Sequence, residues 1–332
     1  MGFLNSLLLT IMRGLHVIIN NYALTIIVFT ILIKLVVMPL NLKSRKSTQR
    51  MTAVQPKMKA LQDKYKDDQE KLNQKMQELY RKEGVSPMGG CLPMIISMFI
   101  LFAMFYAMRT FANEQLVTQF LTFYHNPTID PSTLTDSFLW IKNLWMPDSP
   151  FATYMPDAQS LRMVEFGVWN DISAKLAAAG TIPQALNLAD AAAVNQFVDT
   201  VAAPFIASEA YAPYVAPITG LGNLNILGII KFTIFEHGNG WFVLPILSVL
   251  TQIVMQNMTM AQTMAANPQA GNQKTMLYVM TFMSLYFCAI YNSAFALYWV
   301  VSNVYALVEN IAFDRYFKAQ DRKAATAEEV GI

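Results

Sequence analysis

Residues 22 to 42 read Tyr22-Ala23-Leu24-Thr25-Ile26-Ile27-Val28-Phe29-Thr30-Ile31-Leu32-Ile33-Lys34-Leu35-Val36-Val37-Met38-Pro39-Leu40-Asn41-Leu42, an apolar run interrupted by a single charge, Lys34. A helix needs about 20 mostly apolar residues to cross a bilayer, and this run has them. At about 1.5 Å per residue, Lys34 sits about 12 Å from Leu42 and roughly 18 Å from Tyr22. A lysine at that depth costs on the order of 3 kcal/mol on insertion scales. It therefore either faces protein, water or a partner, or snorkels to the nearer interface.

Outward from this stretch, four more runs have the same character: 88–112, 241–260, 274–291 and 294–313. Asn292 and Ser293 leave only a tight turn between the last two, which predicts an antiparallel pair. Of 332 residues 54% are hydrophobic and 14% charged, against about 25% charged in soluble domains. Residues 1–20 place Leu4, Leu7, Leu8, Ile11, Leu15 and Ile18 at helical spacing, with Arg13 and His16 on the other side. That pattern predicts an amphipathic helix lying in the interface rather than a signal peptide, since a basic start and a cleavage site are missing. The expected fold class is an all-α polytopic membrane protein: five transmembrane helices, a cytoplasmic helical hairpin and an N-terminal interfacial helix.

Orientation follows from the basic residues. They crowd the hairpin at 43–87 and the tail at 314–332, whereas the long connection at 113–240 is acidic. The hairpin, the tail and the loop at 261–273 are thus expected in the cytoplasm, with the N-terminus and 113–240 outside. In the hairpin, Met51, Val54, Met58, Leu61 and Tyr65 step by three and four, Asp67, Asp68 and Gln69 interrupt, and Leu72, Met76 and Leu79 resume. This predicts two antiparallel helices ended by Gly84 and Pro87, with Pro56 kinking or restarting the first. Lys57, Lys59, Lys64, Lys66 and Lys71 make it either a docking arm for RNA, anionic lipid or a nascent chain, or a plain solvated hairpin.

Other spans give Lys34 polar company. Thr30 lies one turn away; Ser248, Gln252, Gln256 and Thr259 stripe the third span; Tyr298, Ser302, Tyr305 and Glu309 stripe the fifth, with Trp299 and Asn303 beside them. Such groups serve either as interhelical hydrogen bonds or as the wall of a hydrated groove. Glu309 is expected at a depth similar to Lys34, as its ion-pair partner. The 21 methionines either pack the bundle or offer a surface that adapts to varied clients. Nothing points to catalysis: there is no phosphate-binding glycine loop, no zinc HExxH and no nucleophile elbow. His16, His125 and His237 are dispersed, Cys91 and Cys288 both fall in spans, and no metal, cofactor or DNA partner is expected.

Three stretches together resemble the YidC-type membrane protein insertase family. The first runs from Asn21-Tyr22-Ala23-Leu24 through Lys34 to Met38-Pro39-Leu40. The second joins Leu61-Gln62-Asp63-Lys64-Tyr65 to Pro87-Met88-Gly89-Gly90-Cys91-Leu92-Pro93. The third is Leu297-Tyr298-Trp299-Val300-Val301-Ser302-Asn303. The resemblance covers roughly 1–150 and 240–316. It implies a bacterial plasma-membrane protein with a groove open to cytoplasm and lipid, nascent membrane proteins as clients, and the ribosome and a Sec translocon as further partners. It also implies a groove cation at Lys34, where relatives usually carry arginine, a groove tryptophan at Trp299, and a groove glutamine at Gln252 or Gln256. Glu309 stands where relatives often have glutamine. The Ala-rich segment 151–239 has no counterpart in the minimal core and is expected to form short helices. The rival reading is a small-solute or ion carrier built on Lys34 and Glu309; a non-catalytic assembly chaperone is compatible with the first.

Overall fold

The computed structural model describes residues 2–85, 92–219, 223–226, 230–266 and 271–330. Met88, Gly89, Gly90 and Cys91, expected to open the second span, lie outside them. The chain is predominantly helical, and its long helices coincide with the five apolar runs: α2 (Tyr22–Lys64), α4 (Leu92–His125), α9 (Val243–Ala266), α10 (Gly271–Ile290) and α11 (Ser293–Val330). Among the described residues, α2 and the Ser293–Gln320 part of α11 are long and apolar enough to cross a membrane. Val243–Met258 and Tyr278–Ile290 are shorter apolar helices.

The helices outrun the expected spans. α2 is one helix of 43 residues with Pro39 and Pro56 inside it, so Pro56 neither ends nor restarts it. Both prolines are exposed. Likewise α9 and α10 take up most of 261–273, leaving 267–270 as the part of that loop outside the described residues.

The chain divides into two compact units. The first holds 1–28, 103–248 and 284–300. In it α1 (Gly2–Ile19) buries Leu8 and Met12 and exposes Val17 and Ile18. Its polar side packs against protein: Arg13 pairs with Glu114 at 2.5 Å, and the His16 ring stacks on Tyr22 at 3.6 Å. The far end of α4 presents Val117, Phe120, Leu121 and Phe123 to a core completed by Met155, Leu161, Trp169, Val198 and Tyr211. The short helices α5 (Ala158–Arg162), α6 (Phe166–Ala178), α7 (Ala191–Phe197) and α8 (Ala203–Ile206) supply Leu161, Trp169, Val194 and Ile206 to it, while Met155, Val198 and Tyr211 come from the segments that flank them. One expectation needs correcting. The segment 151–239 is not helical throughout: β1 (Asn223–Ile226) and β2 (Ile230–Thr233) pair antiparallel, with Asn223 opposite Thr233. Alternating residues such as Ile230-Lys231-Phe232-Thr233 suit a pleated strand better than a helix.

A buried polar knot closes this unit. The Asn239 amide donates to the carbonyls of Asn143, Met146 and Pro147 at 2.8–3.0 Å, and its oxygen accepts from Asn143 N at 2.7 Å. Asp148, fully buried, accepts from the backbone of Trp241 at 2.9 Å and Leu244 at 2.7 Å and from Trp140 Nε1 at 3.1 Å. It therefore caps the incoming end of α9 with a carboxylate, where free N–H groups and the helix dipole favour one. Ser293 Oγ donates to Met146 O, and Ala294 N to Leu144 O, which anchors the start of α11 to the same loop.

The second unit holds 29–102, 249–283 and 301–332. In its hairpin α2 ends at Lys64 and α3 (Gln69–Glu83) starts on Asp68, whose side chain accepts from Lys71 N, so Gln69, expected in the break, is the first helical residue, and Pro87 lies outside the described residues. Gly84 ends α3 in the left-handed region at φ 61°. The seam residues from Met51 to Leu79 are buried or half-buried, while Lys57, Lys59, Lys64, Lys66 and Lys71 are all exposed. Lys57 reaches across to Glu83 at 2.7 Å.

Candidate functional site

On α2, Lys34, Asn41 and Arg45 recur at steps of seven and four, which puts them on one face. On α11, Glu309 and Asn310 are neighbours and Asp314 follows Asn310 by four residues. The second unit brings these rows together. Asn41 Nδ2 donates to both carboxylate oxygens of Glu309, at 3.1 and 3.3 Å. Arg45 donates one arm to Asn310 Oδ1 and pairs through the other with Asp314 Oδ1 at 2.7 Å. Lys34 lies close enough to Glu309 for their charges to interact. The two do not touch: among the described residues Glu309 has Asn41, not Lys34, as its direct partner. In place of the expected ion pair, the carboxylate is held by Asn41, two helical turns along α2 from the lysine.

The remaining polar residues of this unit link the other helices. Asn303 of α11 donates to Thr251 Oγ1 of α9 at 3.3 Å, and Thr281 of α10 donates to Gln256 Oε1 at 3.0 Å. Gln252 and Ser302 behave differently. They are 7% and 9% exposed, and neither Gln252 Oε1 nor Ser302 Oγ has a hydrogen-bond partner among the described residues. A buried polar atom left so costs about 1–3 kcal/mol, which water would relieve. Thr30, expected beside Lys34, is fully buried.

Sequence periodicity grouped eight groove residues; the structure divides them. Lys34, Thr30, Gln252, Gln256, Ser302 and Glu309 belong to the second unit, Tyr298 and Trp299 to the first. Tyr298 is buried, and Trp299 packs on Phe295 with its Nε1 buried and unpartnered. Ser248 is also in the first unit, its hydroxyl turned back to Pro245 O at 2.7 Å. The Thr259 side chain lies outside the described ones. Asn41, Arg45, Asn310 and Asp314 were missed. The signal was present, since Asn41 and Arg45 continue the face of Lys34, but a polar residue at the end of a span reads as its boundary.

Among its described residues the first unit also holds a cavity of about 240 Å³ lined by His16, Asn20, Asn21, Tyr22, Thr135, Asp136 and Ser137 among others. Asp136 accepts from Trp145 Nε1 at 2.5 Å. Burial pushes its carboxyl above the ordinary range, with the Trp145 bond and the nearby His16 working against the shift. Burial pushes the His16 imidazole down, and the charge of Asp136 partly opposes this.

Among known proteins, the model of the 60Kd inner membrane protein family matches residues 14–321. A protein of Chlorobaculum tepidum named membrane protein insertase YidC is 41% identical over 149 residues, which cover 45% of this chain and 22% of that protein. One of the same name from Clostridium perfringens is 39% identical over 131 residues, or 40% of this chain and 47% of that protein. The matched stretches thus span less than half the length of either relative. With nearly the whole sequence matched by the family model, this predominantly helical chain belongs to the family of the 60Kd inner membrane protein, bacterial proteins of the membrane.

Proposed function

We propose that the protein inserts segments of other membrane proteins into the lipid bilayer, without chemistry of its own. The observation that carries this reading is a lysine deep in an apolar helix, in one unit with buried polar atoms that lack protein partners. A client's hydrophilic tail cannot cross bare hydrocarbon without leaving backbone groups unsatisfied. Water around Lys34, Gln252 and Ser302 shortens that dry path, and Lys34 attracts acidic residues of the tail more strongly than it would in bulk water. Of the two glutamines, Gln252 is the groove residue in this reading, because Gln256 is occupied by Thr281. The relatives' printed names support the same activity.

The remaining parts follow. Five spans place the basic hairpin and the tail in the cytoplasm and the unit built around α5–α8 outside, by the distribution of Lys and Arg. The exposed lysines of the hairpin dock anionic partners, the ribosome and anionic lipid foremost, and a Sec translocon is a further partner on the membrane side. Tyr298 and Trp299 contribute where the client's apolar segment leaves for lipid.

The test is reconstitution of the purified chain in liposomes with a short single-span client and no nucleotide. Insertion is expected for the wild type, a loss of roughly tenfold for Lys34→Ala with an acidic-tailed client, and near-normal insertion for Lys34→Arg. Undiminished insertion by Lys34→Ala would remove Lys34 from the mechanism. Flux of small anions without insertion would replace the whole reading by a carrier that uses Lys34 and Glu309.

A further inference from the structure

The seam between α2 and α11 is charge-balanced: Lys34 and Arg45 on one helix, Glu309 and Asp314 on the other. The two balances are built differently. Arg45 is bonded directly across the seam, to Asn310 and Asp314, and its charge also reaches Glu309. Glu309 is held by Asn41 through both oxygens, near Lys34 but off it. Among the described residues Lys34 therefore keeps its ammonium free of a direct ion pair while a carboxylate stands in its field. Glu309 is half-buried, so its charge is only partly screened by solvent. Arg45 and Tyr305 are the other charged or titratable groups in its surroundings.

We propose that Glu309 is a tethered counter-ion that sets which client tails the Lys34 site accepts, holding the site near neutrality so that strongly acidic tails are not favoured over polar ones. This rests on the insertase reading of the same residues. Its physical content is competition. An acidic client residue approaching Lys34 gains the attraction of the lysine and meets the repulsion of Glu309, whereas an asparagine or serine meets neither. The Asn41 tether makes the arrangement work: a carboxylate in direct contact would occupy the lysine, and one further off would not be felt. Specificity then comes from a built-in repulsive element as much as from the attractive one.

The experiment uses the full chain in liposomes and two clients identical but for Asp or Asn at the same tail positions. The readout is the ratio of their insertion rates. Glu309→Gln keeps shape and an acceptor for Asn41, and should raise the Asp-to-Asn ratio by about three- to tenfold, the range of a rim charge acting on encounter. Asn41→Leu releases the carboxylate towards Lys34 and should lower the ratio. In a Lys34→Ala background, where no cation draws the tail towards Glu309, Glu309→Gln should raise the ratio by less. A loosened helix pair would slow both clients alike and leave the ratio flat, which overturns the proposal. So does a fall of the ratio in Glu309→Gln, or the same rise without Lys34. Failure of the insertase reading looks different: the wild type then inserts neither client.

Discussion

Asp148 receives three N–H groups in a fully buried site, and no stretch of sequence near it announces the role. Replacing it by alanine leaves Trp140 Nε1 and the backbones of Trp241 and Leu244 without an acceptor. The expected cost is about 3 kcal/mol or more, read as a lowered melting temperature in detergent. Gly240 is bound to the same site, because a Cβ there would collide with Asp148 Oδ1, so Gly240→Ala should destabilise the same unit. His16 and Asp136 give a pH dependence of opposite signs. Asp136 holds its proton more tightly when folded, so its contribution is full below its ordinary 3.8 and is lost as pH rises through the folded value. His16 holds its proton less tightly when folded, so its contribution is full above 6.5 and is lost as pH falls through the folded value. Acidification just below pH 6.5 should therefore lower the melting temperature through His16, and His16→Phe, which keeps a ring to stack on Tyr22, should flatten that limb. An unchanged profile in the variant would assign the pH dependence elsewhere.

The hairpin was the most legible element. Its apolar residues step by three and four, its Asp68 and Gly84 stop signals stand at the ends of α3, and periodicity of this kind is local. Gly84→Ala forces a Cβ into the left-handed region and should cost about 1 kcal/mol, seen as faster hydrogen exchange in the last turn of α3. Lys59, Lys64 and Lys66 have no ion-pair partner among the described residues, and changing all three to Gln should weaken binding to anionic vesicles in a salt-sensitive way. Binding equal to wild type at low salt would make the hairpin a plain solvated arm. Less legible was the length of α2. A proline reads as a break, and whether it is one depends on which face it occupies. The β1–β2 ribbon was invisible for a related reason: runs of four residues carry too little period to compete with a helical reading.

At the scale of the molecule, the unit around α5–α8 adheres to the end of α4 through aromatic packing, Phe120 and Phe123 meeting Trp169, Phe205 and Tyr211. Deleting residues 158–214 would expose Phe120 and Phe123 and should lower the melting transition of that unit, whereas hydrogen exchange in the hairpin should stay as it was. Slowed insertion alongside an intact melting transition would instead point to a direct role of the segment in client handling. The helical class, the position of Lys34 and the charge asymmetry along the chain were determined by sequence alone, because hydropathy over about 20 residues and charge near span ends are sums over neighbours in the chain. The partner of Glu309 and the knot of Asn143, Asp148 and Asn239 were decided only by tertiary structure. Each joins residues some 90 to 270 positions apart, and a hydrogen bond depends on distance and angle that no local pattern encodes.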